Sequence, residues 1–146
     1  MAAQTCSTHH RQAKKPWTWL QSNMCEDDYQ AWKLAHPSKP WYKSQQFWYG
    51  VVVIGASVGA DYKTTSSGIS RGYGESNPLL GSRPSDGHIA AVGSLAFTTY
   101  FGLHLASYQL SKDDPSKYWR FLGHWQIPVI AASIHGPAAK HNSDLP

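Results

Sequence analysis

The chain has 146 residues and a formal net charge of +4, which comes largely from its N-terminal segment. This length predicts a single domain. The two cysteines, Cys6 and Cys25, are too few for a disulfide scaffold and lack zinc-type spacing. The start of the chain has no apolar run typical of a cleavable signal peptide. No nucleic-acid-binding motif is present, so a nucleic-acid partner is not expected.

Residues 1–40 form a polar, aromatic-rich N-terminal segment. The first 15 residues are basic and predict a disordered tail. A short helix is predicted from Glu26 to His36, with acidic residues in its first turn and Pro37 after its end. This helix could lie on a membrane surface or pack on the protein itself, and the sequence favours neither.

The first long apolar stretch indicates that the solvent of this protein is a lipid bilayer. Residues 47–60 carry no formal charge, and the predicted span of 45–66 reaches the roughly 20 residues that a bilayer requires. Ser38 or Lys39 is predicted near the helix cap, with Pro40 in the first turn. The aromatic residues expected at the membrane interface are Trp41, Tyr42, Trp48 and Tyr49.

Small residues recur at four-residue spacing within this span. Gly55 and Gly59 form a Gly-x-x-x-Gly pattern, and Ala56 and Ala60 repeat the spacing beside it. Such a face allows close approach of a second helix. We predict that it packs within the chain, with dimerisation as the alternative.

A polar loop follows the first span. The helix is predicted to continue past Asp61 to Arg71 and to end with Gly72 in a left-handed cap. Ser85 or Asp86 is predicted to cap the next helix.

Two further spans are predicted, at residues 88–110 and 116–135. Asp114 and Pro115 are expected to begin the third helix, Pro128 to kink it, and Gly136 with Pro137 to end it before a polar tail at 137–146. The fold class is therefore all-α, an integral membrane protein with three transmembrane helices in residues 41–136. A soluble alternative has strands at Phe47–Ile54 and Ala96–Phe101.

The lysines and arginines are distributed unevenly about these spans. The N-terminal segment and the second connection together hold nine of them, and the opposite side holds four. Because basic residues favour the cytoplasmic side, we expect a cytoplasmic N-terminus and a C-terminus outside.

The loop after the first span carries a recognisable pattern. Asp61-x-x-Thr64 is followed by Gly72-x-x-Glu75-x-Asn77-Pro78-Leu79. It resembles a signature in small, uncharacterised bacterial integral membrane proteins. The resemblance covers about residues 45–110 and implies a helical protein of the bacterial inner membrane, without implying any activity.

Two histidines are predicted at similar depth in neighbouring spans. His104 lies ten residues before Asp114 and His124 ten residues after it, and Tyr100 is one helical turn from His104. Such a group could bind a metal or a porphyrin, or relay a proton. The alternative is a neutral His–His or His–Tyr hydrogen bond that joins two helices.

A second polar group is predicted at the other end of the spans. Asp61, Glu75, His88 and His135 have the ligand types that suit a divalent cation, although no metal motif is present. The alternative is a capping network, in which Asp61 accepts from Thr64 or Thr65 and Glu75 and Asn77 accept from loop amides.

The sequence predicts a structural or accessory subunit of a membrane complex, with the lipid bilayer and other membrane subunits or itself as partners. The alternative is a metal-dependent membrane enzyme or transporter that uses Asp61, Glu75, His88 and His135. A phage-type holin is a third interpretation, based on size and the number of spans.

Overall fold

The computed structural model describes residues 26–75, 77–113 and 117–145, and every element in this part of the chain is helical. The elements are α1 (Glu26–Ala35), a 3-10 turn (Trp41–Lys43), α2 (Gln45–Ser70), α3 (Asp86–Ser111) and α4 (Lys117–Ser143). The all-α prediction is confirmed. The two strands proposed in the soluble alternative are wrong, since Phe47–Ile54 lies within α2 and Ala96–Phe101 lies within α3. The predicted tail at residues 1–15 and the predicted start of the third helix at Asp114 and Pro115 lie outside the described residues.

Helix α1 has the predicted position and packs on the protein. Tyr29 is buried, and its hydroxyl donates a hydrogen bond to the carbonyl oxygen of Asp113. The guanidinium of Arg120 lies 5.3 Å from the centre of the Trp32 ring. These contacts hold α1 against the connection between α3 and α4, which favours the second of its two interpretations.

The start of α2 differs from the prediction. Pro40 precedes the 3-10 turn, and the cap of α2 is Ser44, whose Oγ accepts from the Phe47 amide at 3.2 Å. The predicted cap at Ser38 or Lys39 is therefore wrong. The 3-10 turn separates Pro40 from the helix, and the buried Ser44 supplies the capping oxygen.

The predicted turn after α2 and the predicted cap of α3 are confirmed. Helix α2 ends at Ser70, and Gly72 has a φ of +95°, which a residue with a side chain rarely adopts. Ser85 caps α3 by accepting from the His88 amide.

Helix α4 is longer than predicted. It continues through Pro128 and Pro137 to Ser143, so the end predicted at Gly136 and Pro137 is wrong. Its last turns are held on α2, because Arg71 donates to the carbonyl oxygens of Asn142 and Leu145. These tertiary contacts compensate for the backbone hydrogen bond that Pro137 cannot donate, since proline has no amide hydrogen.

The three long helices pack together as a bundle, with both α3 and α4 against α2. Ile54 and Val58 of α2 and Ala131 of α4 form the centre of the core. Two glycines allow close approach of neighbouring helices. A Cβ atom at Gly50 would overlap Nε2 of His104, and a Cβ atom at Gly123 would overlap the Ser111 side chain.

The bundle has large apolar side chains on its outside and polar side chains in its interior. Leu95 is 68 % exposed and Val52 is 64 % exposed, whereas His104 is completely buried. Within the described part of the chain, one helix, α3, is long and apolar enough to cross a membrane. Only 11 % of the most apolar stretch of α3 is buried inside the fold, so α3 is not a core helix enclosed by other helices.

Candidate functional site

The first polar centre joins α2 to α4. Nδ1 of His135 donates to Oδ2 of Asp61 at 2.7 Å, and both side chains are mostly shielded from solvent. The Tyr100 ring meets the His135 ring edge-on, with the ring centres 5.6 Å apart. A small cavity borders this pair. The arrangement holds a carboxylate and an imidazole in a fixed orientation between two helices.

Two further side chains belong to this centre and are not among the predicted metal ligands. Oγ1 of Thr65 donates to Oδ1 of Asp61 at 3.5 Å, and the Asn142 amide donates to Thr65 at 2.9 Å. The sequence predicts Thr65 as a hydrogen-bond partner of Asp61 but not as a ligand of a metal site. Asn142 lies seven residues after His135 and therefore on the same helix face. This spacing indicates that Asn142 belongs to the centre only if α4 continues beyond its predicted end.

The other two predicted metal ligands do not join Asp61 and His135. Oε1 of Glu75 accepts from the Asn77 amide at 2.8 Å, and Oδ1 of Asn77 accepts from the Leu79 amide. His88 is exposed in the first turn of α3. No group of three or more histidine, cysteine, aspartate or glutamate side chains in the described ranges could hold a metal ion. The loop contacts are those of the capping alternative.

The second polar centre surrounds His104 near the opposite end of the bundle. Its Nε2 donates to the carbonyl oxygen of Phe47 at 3.1 Å, and its ring stacks on the Phe47 ring at 4.7 Å. The carbonyl oxygen can only accept, so Nε2 carries the proton. Nδ1 of His104 is buried and has no partner among the described residues. His104 therefore joins α3 to the backbone of α2.

His124 lies in the same region without a bond to His104. It stacks on Tyr108 at 4.9 Å, and Tyr108 in turn meets Phe47 edge-on at 5.5 Å. Nε2 of His124 is also buried without a partner in the described part of the chain. His104 and His124 are linked through the contacting rings of Phe47 and Tyr108, which agrees with the predicted similarity in depth. The predicted His–His or His–Tyr hydrogen bond is wrong, because His104 bonds to the Phe47 carbonyl and Tyr100 lies against His135.

The predicted helix-packing face is mostly unused within the chain. A Cβ atom at Gly55 would contact Phe97, but one at Gly59 would meet nothing within 4 Å. Ala56 and Ala60 are exposed. A groove of about 550 Å³ runs beside these residues between α2 and α3. The close approach inside the bundle occurs at Gly50 and Gly123 instead, which the four-residue pattern did not indicate.

Comparison of the chain with protein-family models, with curated proteins and with solved structures finds no match.

Proposed function

We propose that this chain is a small membrane protein whose three long helices cross the bilayer and that it serves as a structural or accessory subunit of a membrane complex. The observation that carries the proposal is the exposed apolar surface of the bundle. The large side chains that form it are Val52, Leu95, Leu103, Phe121, Val129, Ile130 and Ile134. In water such a surface is unfavourable, whereas lipid chains solvate it at no cost.

The charge distribution supports three spans. The segments 44–60, 87–111 and 121–139 contain no aspartate, glutamate, lysine or arginine. At about 1.5 Å per helical residue they are about 25, 37 and 28 Å long, close to the thickness of a bilayer hydrocarbon core. Each of α2, α3 and α4 thus contains one such segment.

The basic residues at one end of the bundle support an orientation. Lys39, Lys112 and Arg120 line one cavity at the end where α2 starts and α3 finishes. Since lysine and arginine favour the cytoplasmic side, we place this end in the cytoplasm of a bacterial cell. The proposal of a bacterial membrane rests on the resemblance of the loop that contains Glu75 and Asn77.

The location is tested by fractionation of cells that express the full chain. We expect the protein to stay in the membrane pellet after an alkaline carbonate wash and to enter solution only with detergent. Membrane proteins held by their apolar surface resist carbonate, whereas peripheral proteins are released. Recovery in the carbonate supernatant contradicts the whole proposal.

The role as a subunit depends on a surface for another membrane helix. The groove beside Gly55 and Gly59 has small residues on both sides, including Gly93 of α3, and Tyr62 and Phe97 also line it. In lipid, helices associate through such small-residue surfaces, where backbones approach closely. We assign this groove to a transmembrane helix of a partner subunit or of a second copy.

Replacing Gly59 by leucine is expected to disrupt this assembly without unfolding the bundle. The new side chain enters the groove, and nothing within the chain lies close enough to clash with its Cβ atom. The measurement is the mass of the complex purified in mild detergent. Gly102→Leu is the matched control, because Gly102 is equally free of neighbours but lies outside the groove. A wild-type chain that is monomeric at all concentrations contradicts the assigned role.

A further inference from the structure

A cavity of about 590 Å³ lies at the end of the bundle where α2 and α4 begin and α3 ends. Four parts of the chain form its wall, namely the segment before α2, the first turn of α2, the end of α3 and the first turns of α4. The described residues that line it are Ser38, Lys39, Ser44, Gln45, Gln46, Tyr108, Lys112, Arg120, Phe121, His124 and Trp125. The hydroxyl of Tyr108 donates to the Lys39 carbonyl oxygen and so fixes one side of the wall to α3.

The wall is strongly basic. It contains Lys39, Lys112 and Arg120, and its described residues include no carboxylate. None of the three cations has an ion-pair partner among the residues that the structure describes. The Trp32 ring beside Arg120 leaves the charge of the guanidinium intact. Within the described part of the wall, three cations without a paired carboxylate create a positive potential that favours an anion.

The first turn of α2 adds hydrogen-bond donors to the wall. Oγ of Ser44 accepts from the Phe47 amide, while the amides of Gln45 and Gln46 have no acceptor among the described residues. The positive end of the α2 dipole also lies here. Backbone amides at a helix start, together with basic side chains, are the groups that bind phosphate oxygens.

His124 is a buried titratable residue of the wall. This residue is only 8 % exposed, it forms part of the cavity wall, and its Nε2 has no partner in the described ranges. A buried imidazole nitrogen without a partner is costly, because the group has lost its hydrogen bond to water. Nε2 has almost no accessible surface, so a ligand in the cavity does not reach it, and His124 contributes to the wall by packing.

We propose that this cavity binds the phosphate group of an anionic ligand, supplied by a lipid headgroup or by free phosphate. Lys112 and Arg120 neutralise its charge, and the free amides of Gln45 and Gln46 donate to its oxygens. The cavity lies beside the ends of the charge-free segments 44–60 and 121–139, at the depth where lipid headgroups are expected.

The test uses the full chain, purified in a mild detergent and freed of lipid. Its thermal unfolding midpoint is measured during titration with phosphatidylglycerol, with phosphatidylcholine and with inorganic phosphate at constant ionic strength. We expect a saturable rise in the midpoint with phosphatidylglycerol or with phosphate, because a ligand that binds only the folded state stabilises it. Saturation by phosphatidylglycerol alone identifies a lipid headgroup as the ligand, and saturation by phosphate identifies the free ion.

A pair of variants shows whether the effect comes from this cavity. The double change Lys112→Gln and Arg120→Gln is expected to weaken the apparent affinity at least about tenfold. The control is Lys63→Gln with Arg83→Gln, which removes two exposed cations outside the cavity and leaves the affinity unchanged. If the cavity variant is less stable without ligand, Lys39→Gln provides a second comparison, because Lys39 is exposed and outside the helices.

Two results overturn the proposal. One is the absence of a saturable shift with either ligand. The other is an equal loss of affinity in the cavity variant and the control variant, which is the result of nonspecific attraction to a basic protein. The phosphate titration needs no bilayer, so the failure of this proposal is distinguishable from the failure of the membrane location.

Discussion

Replacing Gly50 by alanine is expected to destabilise the bundle by about 1–3 kcal/mol, the usual cost of forcing extra volume into a packed interior. The added methyl group would overlap Nε2 of His104 and lie 3.0 Å from Cγ of Pro128. Neither neighbour can move easily. His104 is held by the Phe47 carbonyl oxygen and by stacking on the Phe47 ring, and Pro128 is completely buried.

Gly59→Ala is the matched control for this change, because it adds the same methyl group to the same helix. A Cβ atom at Gly59 meets nothing within 4 Å, so the substitution should be neutral or stabilising by up to about 1 kcal/mol through its higher helix propensity. The measurement is unfolding by denaturing detergent or by heat in a mild detergent. Equal stability of the two variants shows that α2 does not approach α3 and α4 at Gly50.

Asp61 and His135 are expected to stabilise the bundle cooperatively. We predict a coupling free energy of about 1–3 kcal/mol in a double-mutant cycle of Asp61→Ala, His135→Ala and the double variant. The two side chains share a 2.7 Å hydrogen bond between α2 and α4 and are mostly shielded from solvent. Removing either one leaves the other without its partner, so the second removal costs less than the first.

The chain provides an internal reference for this cycle. Lys140 and Asp144 form an ion pair four residues apart on α4, and both side chains are largely exposed. Exposed pairs at this spacing couple by about 0.3–0.5 kcal/mol. A coupling of the Asp61–His135 pair no larger than that of Lys140 and Asp144 contradicts a structural role for the buried bond. Both cycles use the same unfolding measurement as the glycine variants.

Local signals predicted several elements of the fold correctly. Acidic residues followed by Pro37 indicated the bounds of α1, Gly72 indicated the turn after α2, and Ser85 indicated the cap of α3. These features depend on the chemistry of a few neighbouring residues. Ser44 was missed as a cap because Pro40, four residues earlier, is an equally good start signal and only the intervening 3-10 turn distinguishes them.

The candidate sites depended on tertiary geometry, which the sequence predicted only in part. Counting residues along antiparallel helices predicted the similar depth of His104 and His124. It could not predict the rotation of each helix about its axis, and this rotation decides that His104 bonds to α2 and that Tyr100 lies against His135. The same limit applies to the small residues, since Gly50 faces His104 and Pro128 whereas Gly59 has no neighbour within reach of an added Cβ atom.

The two prolines of α4 interrupt the backbone hydrogen bonds of this helix at two places. Neither Pro128 nor Pro137 has an amide hydrogen, so the carbonyl oxygens of His124 and Ser133 receive no bond from the next turn. Helices bend most easily where such bonds are missing. The prolines separate His124, His135 and Asn142 into three successive sections of α4. Because Pro128 is buried against Gly50 of α2, the packing of these two helices limits bending at Pro128 and holds His124 and His135 in their relative positions.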